Sequence, residues 1–293
     1  MPVYSQDIIL GLTKMQTAGT ATNTMVKINK IEAKSVLSKS NLPEAVYCIN
    51  PYVGYLHGCI YCYARFMRRF TGHKELWGKF LDIKENAALV LEKELKKAKM
   101  GLVLLSSVTD PYQPIEKKYE LTREVLKTLL KYQFPVSILT KSSLVLRDVD
   151  LLKKFHHIEV GITITTTIDS ISKIFEHYSS KASERISTLQ ALKNNGIYTY
   201  AFIGPILPGF TDLEQIFKSI ERSVNKVMAE SLNPNCGSWE EIVSLIKVRY
   251  PEMLEEFNEN THDKNYWITA KNKVTDLCEK HNISLQGFYI HNS

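Results

Sequence analysis

Cys59 and Cys62 sit three positions apart, on a stretch that also carries Cys48, His57 and two glycines, Gly54 and Gly58. Thiolates are soft, charged donors, and a C-x2-C pair on a glycine-broken loop suits an iron–sulfur cluster or zinc. The chain holds only five cysteines in 293 residues, the others being Cys236 and Cys278. So sparse and uneven a set is no disulfide framework and points to a reducing compartment, so a cytoplasmic location is expected. No basic leader precedes an apolar segment, and no apolar run approaches the roughly 20 residues of a membrane span. The net charge of +6 is compatible with an anionic partner, nucleic acid included, without demanding one.

The elements that must position this loop alternate along the chain. Short β-branched or apolar runs at 46–49, 102–105, 136–139, 158–167, 197–203 and 226–229 read as strands. Between them, apolar residues at helical spacing predict helices over 86–100, 121–132, 148–155, 183–195 and 212–224. Thr211 is the expected N-cap of the last of these, and Gly196 the C′ residue that ends 183–195. Alternation of this kind predicts an α/β chain with a mostly parallel sheet of about six βα units, either a partial barrel or an open doubly wound sheet. In both, ligands gather at the carboxyl ends of the strands. The cysteine loop, Ser106–Tyr112, Thr140–Ser142 and Gly204–Gly209 all follow strands and so share that rim. Three regions are expected: an N-terminal extension over 1–43, the α/β unit over 44–235 and a helical C-terminal appendage over 236–293. A short basic helix is expected at 64–70, as a solvated face or a phosphate contact.

The segment Asn50-Pro51-Tyr52-x-Gly54-x-x-His57-Gly58-Cys59-x-Tyr61-Cys62-Tyr63-Ala64-Arg65 resembles the radical S-adenosylmethionine (SAM) enzymes, specifically their spore photoproduct lyase-like branch. The later motifs Ser107-Val108-Thr109-Asp110-Pro111-Tyr112-Gln113-Pro114-x-Glu116, Leu139-Thr140-Lys141-Ser142, Arg147-Asp148-x-Asp150-Leu151 and Ile203-Gly204-Pro205-x-x-Pro208-Gly209 are similar to the same branch. The resemblance implies a partial (β/α)6 TIM-like barrel. It also implies a [4Fe–4S] cluster on a C-x3-C-x2-C loop, and SAM cleaved reductively to a 5′-deoxyadenosyl radical that attacks a substrate. An electron donor such as ferredoxin or flavodoxin would then be a partner; the substrate stays unknown, with nucleic acid among the candidates.

On the same resemblance, Tyr61 would pack near the adenine and Lys141 would meet the SAM carboxylate. Ser107, Thr109, Asp110, Thr163, Thr165 and Arg185 are further candidates for the cofactor rim. Spore photoproduct lyase uses a cysteine hydrogen donor in the region that Ser106 and Ser107 fill here, which speaks against thymine-dimer repair. Cys236 and Cys278 read as structural cysteines, and His156 and His157 as capping or surface histidines.

One position departs from the pattern. Counting back from Cys62 and Cys59, the first ligand of C-x3-C-x2-C falls on Tyr55. A phenol, with a pKa near 10 and a hard oxygen, is a poor cluster ligand. Four readings follow. The chain is a disabled member that holds its cluster weakly or not at all; Cys48 substitutes as third ligand; a partner, substrate or small thiol supplies it; or Cys48, His57, Cys59 and Cys62 hold zinc.

Overall fold

A computed structural model describes residues 26–42 and 45–291 of the chain, so most of the expected N-terminal extension lies outside the described residues. In chain order the strands are β1 (Lys27–Ile31), β2 (Leu37–Lys39), β3 (Tyr47–Ile49), β4 (Tyr52–Val53), β5 (Phe80–Lys84), β6 (Val103–Leu105), β7 (Val136–Thr140), β8 (Ile158–Thr163), β9 (Tyr198–Ile206), β10 (Lys226–Ser231) and β11 (Ser284–Tyr289). The α-helices are α1 (Ala87–Leu95), α2 (Glu116–Tyr119), α3 (Leu121–Lys131), α4 (Val149–Leu152), α5 (Asp169–Phe175), α6 (Ala182–Asn194), α7 (Leu213–Ile220), α8 (Trp239–Arg249), α9 (Leu254–His262) and α10 (Lys264–Lys280).

The main sheet runs β2-β3-β6-β7-β8-β9-β10-β11 and does not close on itself. From β3 to β11 every neighbouring pair is parallel, and only the edge strand β2 is antiparallel to β3. The architecture is that of a partial TIM-like barrel. Parallel neighbours require crossovers, and helices supply them. Alternate strand residues Val136 and Ile138, Val160 and Ile162, Ala201 and Ile203, Val227 and Ala229 are fully buried, one face of each strand thus serving the core. The intervening positions near the amino ends of the strands carry polar groups. Ser137 Oγ donates to Glu159 at 2.7 Å, and Lys226 Nζ meets Glu159 at 2.6 Å. Tyr200 crosses this layer to donate to the Ile138 carbonyl at 3.1 Å, over Gly161, where an added Cβ would lie 2.1 Å from the ring.

Helices α3 and α7 bury the positions that their periodicity predicts: Leu121, Val125, Leu126 and Leu129 in one, Leu213, Ile216, Phe217 and Ile220 in the other. Gly196, at φ +78°, follows α6 as the left-handed residue expected there.

Several expectations need correcting. Asp212, not Thr211, caps α7, accepting from Gln215 N at 3.1 Å; the Thr211 hydroxyl already donates to the Thr165 carbonyl at 2.7 Å. The helix expected over 148–155 is reduced to the single turn of α4, preceded by a 3-10 turn over Ser143–Asp148. Lys27–Ile31, expected as part of the N-terminal extension, pairs in parallel with β5 in a small second sheet with β4. The C-terminal region is helical as expected but ends in β11, which joins the main sheet beside β10. β11 has no strong apolar run of its own and becomes a strand where β10 offers it an edge, whereas β5 buries Phe80, Leu81 and Ile83. Among the described residues no helix is long and apolar enough to cross a membrane.

Candidate functional site

The cysteine loop is anchored from behind by the loop after β6. Gly54 adopts φ +107°, and a Cβ there would lie 2.4 Å from the Phe80 carbonyl oxygen, so only glycine fits. Its own carbonyl accepts from Thr109 Oγ1 at 2.6 Å. The buried Gln113 side chain donates to Thr109 Oγ1 at 3.2 Å and accepts from Leu56 N at 2.9 Å. Asp110 joins three segments at once. Its carboxylate accepts from Tyr112 N at 2.8 Å, Thr140 Oγ1 at 2.7 Å and Lys141 N at 2.9 Å, and faces His57 Nε2 at 3.2 Å. Burial alone would raise this carboxyl, but His57, Thr140 and the Lys141 amide together hold it below the usual aspartate range. The other nitrogen of His57 lies 3.1 Å from the Tyr178 carbonyl, and Tyr178 N donates back to the His57 carbonyl at 2.9 Å. Thr109, Asp110 and His57 therefore act on the loop itself.

In front of this support lie the sulfurs. Cys59 and Cys62 are buried, and so is Tyr55, which is 8% exposed. The Tyr55 hydroxyl sits 3.3 Å from Cys59 Sγ, so the phenol occupies the space beside the thiol. Burial pushes the Tyr55 phenol well above its ordinary value, and pushes the Cys59 thiol up to about 12. Burial also raises Cys62, opposed by the Trp77 indole N–H, which donates to its sulfur at 3.2 Å. A donor of that kind on a ligand sulfur is a feature that tunes metal-bound thiolates.

Cys48 lies on β3, its thiol donating to Ser107 Oγ at 3.1 Å and accepting from Asn50 Nδ2 at 3.4 Å. Ser107 meets the same neighbourhood through its amide, which donates to Asn50 Oδ1 at 3.0 Å, and its carbonyl, which accepts from the Tyr63 hydroxyl. Cys236 is brought within 3.7 Å of the Tyr61 carbonyl, a proximity that a separation of 175 residues conceals. Cys278 is buried in α10. Among the described residues no group of three or more His, Cys, Asp and Glu side chains is placed to hold a metal ion. For a zinc site of Cys48, His57, Cys59 and Cys62 the obstacle is His57, whose two nitrogens already face Asp110 and Tyr178.

A second buried cluster adjoins the thiols. After α5 the chain forms an isolated antiparallel bridge between Glu176 and Cys59. The Glu176 carboxylate accepts from the Tyr61 hydroxyl, from the Arg185 guanidinium and from Ser172 Oγ at 3.1 Å. Lys141 Nζ lies 3.9 Å from the same carboxylate and 5.7 Å from the centre of the Tyr61 ring. Burial would raise Glu176, yet Arg185 and Lys141 hold its carboxyl below the ordinary glutamate range. Arg185 is fully buried and also donates to the Thr163 carbonyl at 2.7 Å. Thr163 thus meets Arg185 through its backbone, whereas the buried Thr165 hydroxyl has no hydrogen-bond partner among the described residues. The structure unites Tyr61, Lys141 and Arg185 around a carboxylate that sequence reasoning passed over. Glu176 stands in no motif, and neither does Trp77, 15 residues beyond Cys62; Gln113 lies within the Ser107–Glu116 motif, where nothing local marks its role.

The profile of the Radical SAM superfamily matches residues 49–221, more than half of the chain. The chain belongs to that superfamily. An uncharacterized protein of Methanocaldococcus jannaschii is 38% identical over 270 residues, 92% of this chain and 100% of that protein. A radical SAM Nα-GlyT isomerase of a Pseudomonas phage is 25% identical over 174 residues, 59% of this chain and 35% of that protein. In fold, the chain is similar to a variant of spore photoproduct lyase with bound AdoMet and dinucleoside spore photoproduct. The TM-score is 0.65 at 12% identity, covering 95% of this chain and 87% of that one.

The superfamily's two cofactors fit this radical SAM chain unequally. For SAM, Lys141 offers an ammonium 3.9 Å from the Glu176 carboxylate, and Thr165 a buried hydroxyl without a hydrogen-bond partner among the described residues. For a cluster, Cys59 and Cys62 offer two thiols, and the adjoining donor is the Tyr55 phenol, held protonated by burial. Two thiolates do not make the three-thiolate set, so the donor chemistry fits SAM and falls short for the cluster.

Proposed function

We propose that this chain is a SAM-binding radical SAM protein in which reductive cleavage of SAM is impaired at residue 55. The observation that carries the reading is the buried Tyr55 hydroxyl 3.3 Å from Cys59 Sγ, a phenol beside the thiol in the position of the missing thiolate. In this reading Lys141 receives the SAM carboxylate, Tyr61 packs near the adenine, and Glu176 keeps both at the rim of the barrel. The bound AdoMet of the structurally similar lyase variant supports SAM as the ligand. A ferredoxin or flavodoxin is the proposed class of electron donor.

Calorimetric titration of the full chain with SAM, followed by anaerobic reconstitution with iron and sulfide, tests the reading. SAM is expected to bind, and Lys141→Ala to weaken it by roughly tenfold, the scale of one charge-assisted hydrogen bond. Iron is expected far below the roughly four atoms of a [4Fe–4S] cluster, with little 5′-deoxyadenosine formed under reductant. A native chain that fills with iron and releases 5′-deoxyadenosine stoichiometrically would sink the proposal, and so would the absence of any SAM binding.

A further inference from the structure

The 3-10 turn Tyr63–Phe70 starts directly on Cys62 and opens a strongly basic surface. Residues 63–79 hold Arg65, Arg68, Arg69, Lys74 and Lys79 against Glu75 alone; five minus one leaves +4, compared with +6 for the whole chain. Arg65 is neutralised by Glu241 through contacts of 2.6 and 2.7 Å. Arg68 donates to a carbonyl, that of Lys74, at 2.7 Å. Among the described residues no carboxylate pairs with Arg68, Arg69 or Lys74.

Two large aromatic side chains stand among these cations. Phe66 is 44% and Phe70 66% exposed. The Arg69 guanidinium lies 4.7 Å from the centre of the Phe70 ring and 5.7 Å from that of Phe66. A shallow, open depression of about 470 Å³ lies between the arginines and Gly72 and His73. Exposed phenyl rings are costly in water, and an arginine poised over them keeps its charge available while orienting the ring. Unpaired cations interleaved with exposed rings match one ligand chemistry, phosphates alternating with unstacked bases. An acidic protein surface would also pair with the arginines and cover the rings, and the flavodoxin arm of the test below separates it from a nucleic acid. A duplex would pair with the arginines too, but keeps its bases stacked.

We propose that the surface formed by residues 63–79 docks single-stranded nucleic acid, with Phe66 and Phe70 as base platforms and Arg68, Arg69 and Lys74 as phosphate contacts. The strand then passes the mouth of the cysteine loop, because the turn begins at Cys62. The proposal goes beyond the cofactor reading and is independent of residue 55, and its test reads binding alone.

The test is fluorescence anisotropy of the full chain with labelled oligothymidine and oligouridine of about 20 nucleotides, and with a duplex of the same length, across 50–200 mM salt. Three phosphate contacts predict a log–log salt slope of about −2 for single strands. Phe66→Ala combined with Phe70→Ala is expected to weaken binding by roughly tenfold or more at an unchanged slope. Arg69→Ala is expected to make the slope shallower by about 0.7. Lys96→Ala with Lys97→Ala, on the exposed end of the helix after β5, serves as a charge control expected to change little, and circular dichroism checks that each variant folds. The proposal is overturned if single strands do not bind at 50 mM salt, if the phenylalanine pair changes nothing, if the lysine control loses as much, or if the duplex binds as tightly. It is equally overturned if an acidic flavodoxin displaces the strand and shows the same sensitivity to the phenylalanine variants, which would assign the surface to a protein partner.

Discussion

Replacing Tyr55 by cysteine puts the cluster argument at greatest risk. The substitution removes a phenol ring from a site only 8% exposed, against Cys59 on one side and the His57 ring on the other, 5.4 Å between ring centres. Loss of about 80 Å³ of side chain, at about 24 cal/mol per Å³ of residual cavity, costs about 2 kcal/mol in the metal-free protein. For a chain of this size that is a fall in Tm of about 5 °C. In return the loop gains its third thiol at the correct spacing. A ligand bound only by the folded state at a hundredfold excess over Kd contributes about 2.7 kcal/mol, enough to offset the cavity. Tyr55→Cys is therefore expected to melt below the native chain without iron and at or above it after anaerobic reconstitution, with iron rising towards about four per chain. Iron and sulfide analysis, cluster absorbance and thermal unfolding of both proteins in both states give the readout. Tyr55→Phe is the companion: it keeps the ring, removes the oxygen on Cys59, and is expected to leave iron content low and unchanged. If the native chain already carries a full cluster that Tyr55→Cys does not increase, the reasoning from residue 55 is wrong. Loss of that iron in Cys48→Ala would then identify the substitute ligand, and loss in Tyr55→Phe would make the phenolate itself the donor.

Two further outcomes follow from the buried charges. With its thiol pushed up to about 12, Cys59 in the metal-free chain is expected to react with iodoacetamide at pH 8 roughly a thousandfold more slowly than an exposed cysteine, and faster as pH rises; peptide mass mapping reads this directly, and prompt modification at pH 8 would refute it. Glu176→Gln leaves the fully buried Arg185 facing a neutral amide, a loss of about 3–5 kcal/mol and a fall in Tm of roughly 5–10 °C. Because the folded carboxyl of Glu176 is held below its unfolded value, its contribution is complete above about pH 4.3 and is lost as pH falls through the lower folded value. The gap between native and variant stability should accordingly close in acid, and a gap that stays constant to pH 2 would show that Glu176 does not act through its charge.

The sequence by itself determined the βα alternation, the position of the polar loops after the strands and the departure of Tyr55 from the C-x3-C-x2-C count. Those features are local: strand and helix periods, turn residues and the count from Cys62 back to Tyr55 are all written within short windows. The strands β3, β6, β7, β8, β9 and β10 fall where short apolar runs predict them. What only the tertiary structure decided depends on groups far apart in the chain. β11 is a strand because β10 offers it an edge, 58 residues after Lys226 at the pairing with Ser284. Asp110 ties the cysteine loop to the ends of β6 and β7, a job invisible in a motif that equally suits a ligand contact. Glu176 gathers Tyr61, Lys141 and Arg185 from three crossovers, and Trp77 reaches the sulfur of Cys62 from the loop before β5. Burial, which raises the Tyr55 phenol and the Cys59 thiol alike, is a property of the packed barrel and of no single segment.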